Sequence, residues 1–503
     1  MRITSLLAVL LVVLAFPARA AKWDVVPAFS VQENYTDNIG LQPSGSERTE
    51  WVTQLIPAIA ATAVGNGLRF TFDYAPELTF YARGQIEDKI FHRLNAFGTA
   101  ELANKLLFLD VSANVDQYDV SLQGPLSDNN VNTTGNRATV GTFYASPYLI
   151  HNFGSSALVQ ARYTYSIWNS NDEQSYNNAA DTIDLDLSSG PAYRVLTGNL
   201  NYKKAAIDYD TQPDLDAEVV LATARRLVTP TISVLAQVGE EQYGRVVAGQ
   251  PTGEEDGGSR WGVGIDWVPS TRTHLTAAVG NRFFGNAYLL DFDHRARRLT
   301  FRAGYSQDVT TTRTELFGGA TSSTASYLDP LYCAKSSDPD VCKQEVSSAV
   351  SDSGLPVSIT GPVNFFSSDP FLQERFEASV AMQGVRSVII GTVFADTREV
   401  LPGFIRTGDF ATSSTVNQTG INLVWNLPLT ARTFWNLYTN YQRNSFPDVP
   451  REDNYTTFGM GLTRQFQPRL SGTLAYRALN NESTDNAFSY TENAVWASLR
   501  MGF

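Results

Sequence analysis

The chain closes on Asn493-Ala494-Val495-Trp496-Ala497-Ser498-Leu499-Arg500-Met501-Gly502-Phe503. Val495, Ala497, Leu499, Met501 and Phe503 share one apolar face; Ala494, Trp496, Ser498, Arg500 and Gly502 form a mixed, more polar one. A side-chain period of two is that of a β-strand. Two readings fit such a tail. One is an edge strand of a soluble domain, and the other is the final strand of a barrel whose terminal aromatic is read during assembly.

The same alternation runs through the chain. Leu68, Phe70, Phe72 and Tyr74 oppose Arg69, Thr71 and Asp73; Tyr163, Tyr165 and Ile167 oppose Arg162, Thr164 and Ser166. Trp261, Val263, Ile265 and Trp267 oppose Arg260, Gly262, Gly264 and Asp266; Ile421, Leu423, Trp425 and Leu427 oppose Gly420, Asn422, Val424 and Asn426. Many runs reach about ten residues, the roughly 9–11 that a tilted strand needs to cross a bilayer. Strands of soluble sheets average about half that.

Connections alternate between short and long. Tight turns at Gly65-Asn66-Gly67, Val268-Pro269-Ser270, Gly384-Val385-Arg386 and Gln467-Pro468-Arg469 are separated by polar loops such as 34–48, 122–137 and 399–414. Pro230 to Pro269 and Pro428 to Pro468 each span about 40 residues, one up-and-down hairpin, with short turns facing the periplasm in outer-membrane barrels. A propeller repeats at a similar interval but requires a blade signature, and none is present.

Composition agrees. There are 38 Lys and Arg against 51 Asp and Glu, a net charge of −13, which disfavours a nucleic-acid partner. Aromatic residues make up 12%, yet mean hydropathy is only −0.18. No segment after the N-terminus resembles a membrane helix, so a membrane protein of this composition must close a barrel. Met1-Arg2, the apolar run Ile3 to Ala15 and Ala18-Arg19-Ala20 read as a signal peptide spanning 1–20, too short for an anchor. The expected fold is therefore all-β, a single transmembrane antiparallel up-and-down β-barrel over 21–503, in the outer membrane of a Gram-negative bacterium.

Strand counting gives about fourteen crossings up to Val309 and about seven from Phe371, so parity requires one more, expected in residues 311–327. The expected total is about 22 strands, within about 20–24. Residues 328–370 form the longest loop and a candidate plug. Its two cysteines, Cys333 and Cys342, read as a local disulfide in an oxidising compartment. The rival readings, a metal or redox pair, lack CxxC spacing and a nearby His.

The phase of the alternation nominates lumen-lining residues: Arg69, Asp73, Arg162, Asp184, Asp186, Arg260, Asp266, Arg282, Arg298, Arg302, Arg375, Glu377, Arg477 and Arg500. As a set they describe a wet, polar interior. Individually each has a structural alternative, cross-strand pairing that braces the wall. Arg298 and Arg302 suggest a local basic ladder.

No HExxH, GxSxG or Walker loop is present, and no cofactor or metal motif. A hydrolase would rest on His92 and His294, which fall near expected outer ends, whereas His151 and His274 lie beside expected periplasmic turns at the interface. Neither outer histidine sits in a nucleophile motif, so the chain reads as no enzyme.

The stretch Trp23 to Ile39, with Glu33 and Tyr35-Thr36-Asp37-Asn38, resembles the opening of outer-membrane barrels associated with PEP-CTERM/exosortase systems. Leu55-Ile56-Pro57-Ala58-Ile59 is also similar to them. Those proteins accompany exopolysaccharide loci. The resemblance implies a role in export or assembly of envelope polysaccharide or sorted surface proteins, and it supplies no catalytic residues. Read from the residues alone, Tyr35 to Asn38 is a turn with an interfacial aromatic. Expected partners are membrane lipid, the barrel-assembly machinery through Phe503, and a polysaccharide or other polar solute. A porin-like or gated channel and a non-conducting scaffold both fit.

Overall fold

A computed structural model describes residues 21–171, 177–247, 250–317, 324–333, 361–404 and 406–503, with Cys342, Val346 and Val350. The expected signal peptide, residues 1–20, lies outside the described residues, as does Leu355-Pro356.

The strand segments join in one antiparallel sheet of 24 members. Two crossings are each split, at Ala75–Pro76 between Leu68–Tyr74 and Glu77–Tyr81, and at His92–Arg93 between Lys89–Phe91 and Leu94–Ala103. The result is a closed barrel of 22 strands. Pro76 explains the first break, because it offers no N–H to the ladder.

Closure is made between Lys22–Thr36 and Tyr490–Gly502, which pair antiparallel from Thr36↔Ala494 to Ala28↔Gly502. The Phe503 amide extends this ladder by donating to the Pro27 carbonyl at 2.9 Å. The Thr36-Asp37-Asn38 stretch reinforces the seam at its other end. Asp37 accepts from the Asn493 amide (2.7 Å) and its Nδ2 (2.8 Å), Thr36 donates to Glu492 (2.7 Å), and Asn38 Nδ2 reaches the Thr491 carbonyl (2.9 Å). Tyr35 meets Trp51 on the outer face, ring centroids 5.1 Å apart.

Alternation distributes the faces. Outward positions stay exposed and apolar, as in Val495, Leu499 and Met501 or Trp261, Val263 and Ile265. Such a continuous apolar band is stable only against lipid. Short turns close one end; at Gly67 the backbone takes φ +79°, which a side chain would strain. The long connections gather at the opposite end.

Among the described residues, 311–317 and 324–327 do not supply a strand. Thr312–Phe317 and Thr324–Tyr332 are helices, and the crossing that parity requires lies upstream of Thr310. The reason is local chemistry. Thr312 donates to the Phe365 carbonyl (2.9 Å), Arg313 reaches Asn178 and Ser166, and Glu315 pairs with Arg398 (3.2 Å). Partners on different sides suit a helical turn inside the barrel, not a ladder.

Candidate functional site

The core of this barrel lies inside its outer end. Three long connections fold into the lumen and are stitched to one another. In residues 120–136, Leu126 N–H donates to the Tyr490 hydroxyl (2.9 Å), Tyr455 donates to Asp128 (2.8 Å), and Asn132 donates to Glu492 (2.6 Å). In residues 361–370, the Phe366 amide donates to the Val120 carbonyl at 2.9 Å, and Gln418 exchanges two hydrogen bonds with the Val363 backbone, each 2.9 Å. The third connection, residues 401–414, presents Thr407 to Asp369 and Asp409 to the first connection.

Two carboxylates carry the stitching. Asp369 accepts from the Thr407 amide (2.7 Å) and hydroxyl (2.6 Å) and pairs with buried Arg245. Asp409 accepts from the Leu122 amide (2.7 Å) and from the Ser121 hydroxyl. Burial pushes the Asp409 carboxyl up to about 6, against the bond from Ser121. Asp369 and Glu315 move in the same direction, also through burial. Around them Phe365, Phe371, Phe410, Phe404 and Phe446 form an apolar cluster, with Phe410 edge-on to Phe365 at 5.0 Å. The helix Thr324–Tyr332 extends the filling downward. Ala325, Leu328 and Cys333, disulfide-bonded to Cys342, pack on the inward Ala381, Ile390 and Val424.

Below the filling, register sets which side chains face the lumen. Arg69 and Asp73, Arg162 with Asp184 and Asp186, Arg260 and Asp266, Arg282, Arg302, Arg375, Glu377, Arg477 and Arg500 share the inward face of their strands. Arg298 does not: it sits in the turn before Leu299–Thr310, where its carbonyl accepts from Gln383. The basic ladder with Arg302 is therefore absent, and Arg302 pairs with Asp293 at 3.1 Å.

Most inward charges are matched. Arg162 meets Asp110 (2.8 Å) and Arg477 meets Glu492 (2.5 Å) across strands, and Arg375 meets Glu377 (2.8 Å) along one strand. Asp266 holds both Arg225 (2.9 Å) and His274 (2.6 Å), so His274 faces the lumen rather than the interface. His294 lies beside Thr273 at the short-turn end, not near the outer rim. His92 stacks on Tyr74 and bonds its hydroxyl at 2.9 Å. Sequence reasoning missed Asp110, Asp291, Asp293 and the loop carboxylates; a strict two-residue phase applied to 107–119 and 285–295 finds the wall members, whereas the loop ones carry no periodic signal.

A cavity of about 370 Å³ opens beneath the helix, lined by Asp291, Asp293, Arg302, Tyr327, Glu377 and Ser379 among others. Tyr327 spans from the helix to the wall, donating to Glu377 at 2.8 Å. The charge of the wall is interrupted at one place. Asp396 and Arg398 of Val388–Val400 and Arg451 and Asp453 of Arg451–Gln467 flank two strands, Thr415–Thr430 and Thr433–Phe446, whose inward positions carry no charge.

The chain is an outer-membrane β-barrel. The Escherichia coli ferric-catecholate import receptor Fiu, in its open form, superposes with a TM-score of 0.51 at 10% identity, covering 95% of this chain and 82% of that one. Its closed form gives 0.49 at 10% identity over the same shares, 95% and 82%. OccAB1 of Acinetobacter baumannii gives 0.35 at 8% identity, over 96% of each chain. What is shared with Fiu at that identity is the fold. No family model matches the chain, and no curated protein matches it in sequence.

Proposed function

We propose that this barrel is a gated channel for polar solutes, with the three stitched connections and the disulfide-closed insert as its gate. The observation that carries the reading is that the occluding segments are tied to one another and to the wall by titratable side chains, Asp369 and Asp409, above a polar lumen. A permanently solid barrel has no need of a charge-lined cavity in its lower half.

The opening stretch around Tyr35 to Asn38 resembles barrels of exopolysaccharide loci, which supports an envelope polysaccharide as the solute class and export as the direction. The second reading, a non-conducting scaffold for an envelope assembly, draws on the buried phenylalanine cluster that seals the outer end. The chain is assigned no catalytic step; turnover abolished by His92→Ala would contradict that.

Swelling of proteoliposomes in uncharged sugars separates the two readings. A channel admits small polar solutes, and faster when Asp369 is replaced by Ala. Equal impermeability of both proteins, folded by gel mobility, supports the scaffold instead.

A further inference from the structure

The stretch of wall around the charge-free strand Thr433–Phe446 has an unexplained property. On Thr433–Phe446 and its neighbour Arg451–Gln467, Asn440 Oδ1, Gln442 Oε1, Asn444 Nδ2 and Thr457 Oγ1 are buried and lack hydrogen-bond partners among the described residues. All four residues are under 5% exposed. Asn440 and Thr457 stand directly opposite in register, and Gln442 and Asn444 continue the row towards the outer end. An orphaned polar atom is costly when buried, so seating the loops is not what this row is matched to.

Its chemistry selects a ligand class. Amides and hydroxyls offer both donors and acceptors; the inward face of Thr433–Phe446 carries no charge, and the two charges on that of Arg451–Gln467, Arg451 and Asp453, pair with each other at 2.9 Å at its outer end. A charged ligand would surrender hydration here without compensation, whereas an uncharged hydroxyl-rich one satisfies both kinds of group. Aromatic rings lie along the same wall. Tyr438 covers Gly459, where a Cβ would stand 2.1 Å from the ring, and Phe394 covers Gly420 at 2.5 Å. Only glycine lets rings settle this close to the strand. A ring held against the wall can stack on the C–H face of a sugar.

We infer that the row Asn440, Thr457, Gln442 and Asn444, with Tyr438, is a binding track for a neutral oligosaccharide, exposed when the loops leave the lumen. This rests on the gated-channel reading and sharpens its solute from polar to uncharged.

The test is calorimetric titration of the full chain in detergent with maltoheptaose and, separately, an oligogalacturonate of matching length. It uses the wild-type protein, Asp369→Ala, and Asp369→Ala carrying Asn440→Leu and Thr457→Val. Maltoheptaose should bind Asp369→Ala more tightly than wild type, and the added pair should weaken that binding about tenfold, the loss of one to two neutral hydrogen bonds. Oligogalacturonate should bind more weakly than maltoheptaose to Asp369→Ala, a comparison that needs no wall substitution and stands if the triple variant fails to fold. Equal or tighter binding of the anionic oligomer overturns the track, as does unchanged affinity in a folded triple variant or no heat with a proteolytically verified loop-released protein. Binding is read without current, so a barrel silent in bilayers fails the channel and not this measurement. A conducting barrel indifferent to maltoheptaose fails the track alone.

Discussion

Asp369 and Thr407, on two different lumenal connections, are joined by a double hydrogen bond: one carboxylate oxygen accepts both the amide and the hydroxyl of Thr407. The same carboxylate pairs with Arg245 on the wall. It is therefore the point where two loops and the barrel meet. Asp369→Ala removes the carboxylate from a buried ion pair, a change that typically costs about 3–5 kcal/mol. The expected outcome is a barrel that still folds but whose segment 361–414 is cut quickly by added protease. Thr407→Ala should show the same effect at about 1–3 kcal/mol. Protection equal to wild type in both would dissociate the pair from loop docking.

The loop carboxylates set a pH dependence with a definite sign. Burial raises Asp409 from 3.8 to about 6 and moves Asp369 and Glu315 upward too. A raised carboxyl binds its proton more tightly when docked, so docking is strongest below about 3.8 and weakens as pH rises through about 6. Hydrogen exchange of residues 401–414 should therefore slow on acidification from neutral pH to about 5. Asp409→Asn should flatten that response. Faster exchange on acidification would reverse the sign and refute it.

Reducing Cys333–Cys342 reopens a loop of sequence separation 9. Closing a loop of this size contributes about 2–3 kcal/mol in the chain-entropy description. Cys333→Ser with Cys342→Ser should raise protease sensitivity of the insert while barrel melting is unchanged. A fall in barrel melting itself would mean that the insert supports the wall.

Seam closure yields a fourth outcome. Asp37 binds Asn493 twice, and Phe503 adds a rung at the other end of the same strand pair. Deleting Phe503 should leave an exported chain that inserts poorly, and Asp37→Ala should lower melting by the loss of two exposed bonds, about 1–2 kcal/mol. Normal insertion without Phe503 would remove the terminal rung from assembly.

The wall was legible because a barrel writes its phase into every strand. Arg477, Asp266 and Glu377 could be assigned a face from their neighbours alone, since a one-residue slip would expose a whole apolar row. Arg298 escaped that logic because it lies one residue outside its strand, where phase has no meaning. Residues 311–327 misled because weak alternation is compatible with a helix whose Thr312, Arg313 and Glu315 each find a different partner. The loop contacts, Asp369 with Thr407 and Asp409 with Leu122, join residues far apart in sequence and leave no local pattern.

Planar-bilayer conductance of the wild-type protein beside a variant lacking 328–370 tests the gate most directly. That deletion removes Asp369, Phe365, Cys333 and Cys342 together. The account predicts a wild-type barrel that is closed or opens rarely, and a deletion variant with a large, steady conductance. Silence from both, with each verified as folded and inserted, would contradict it.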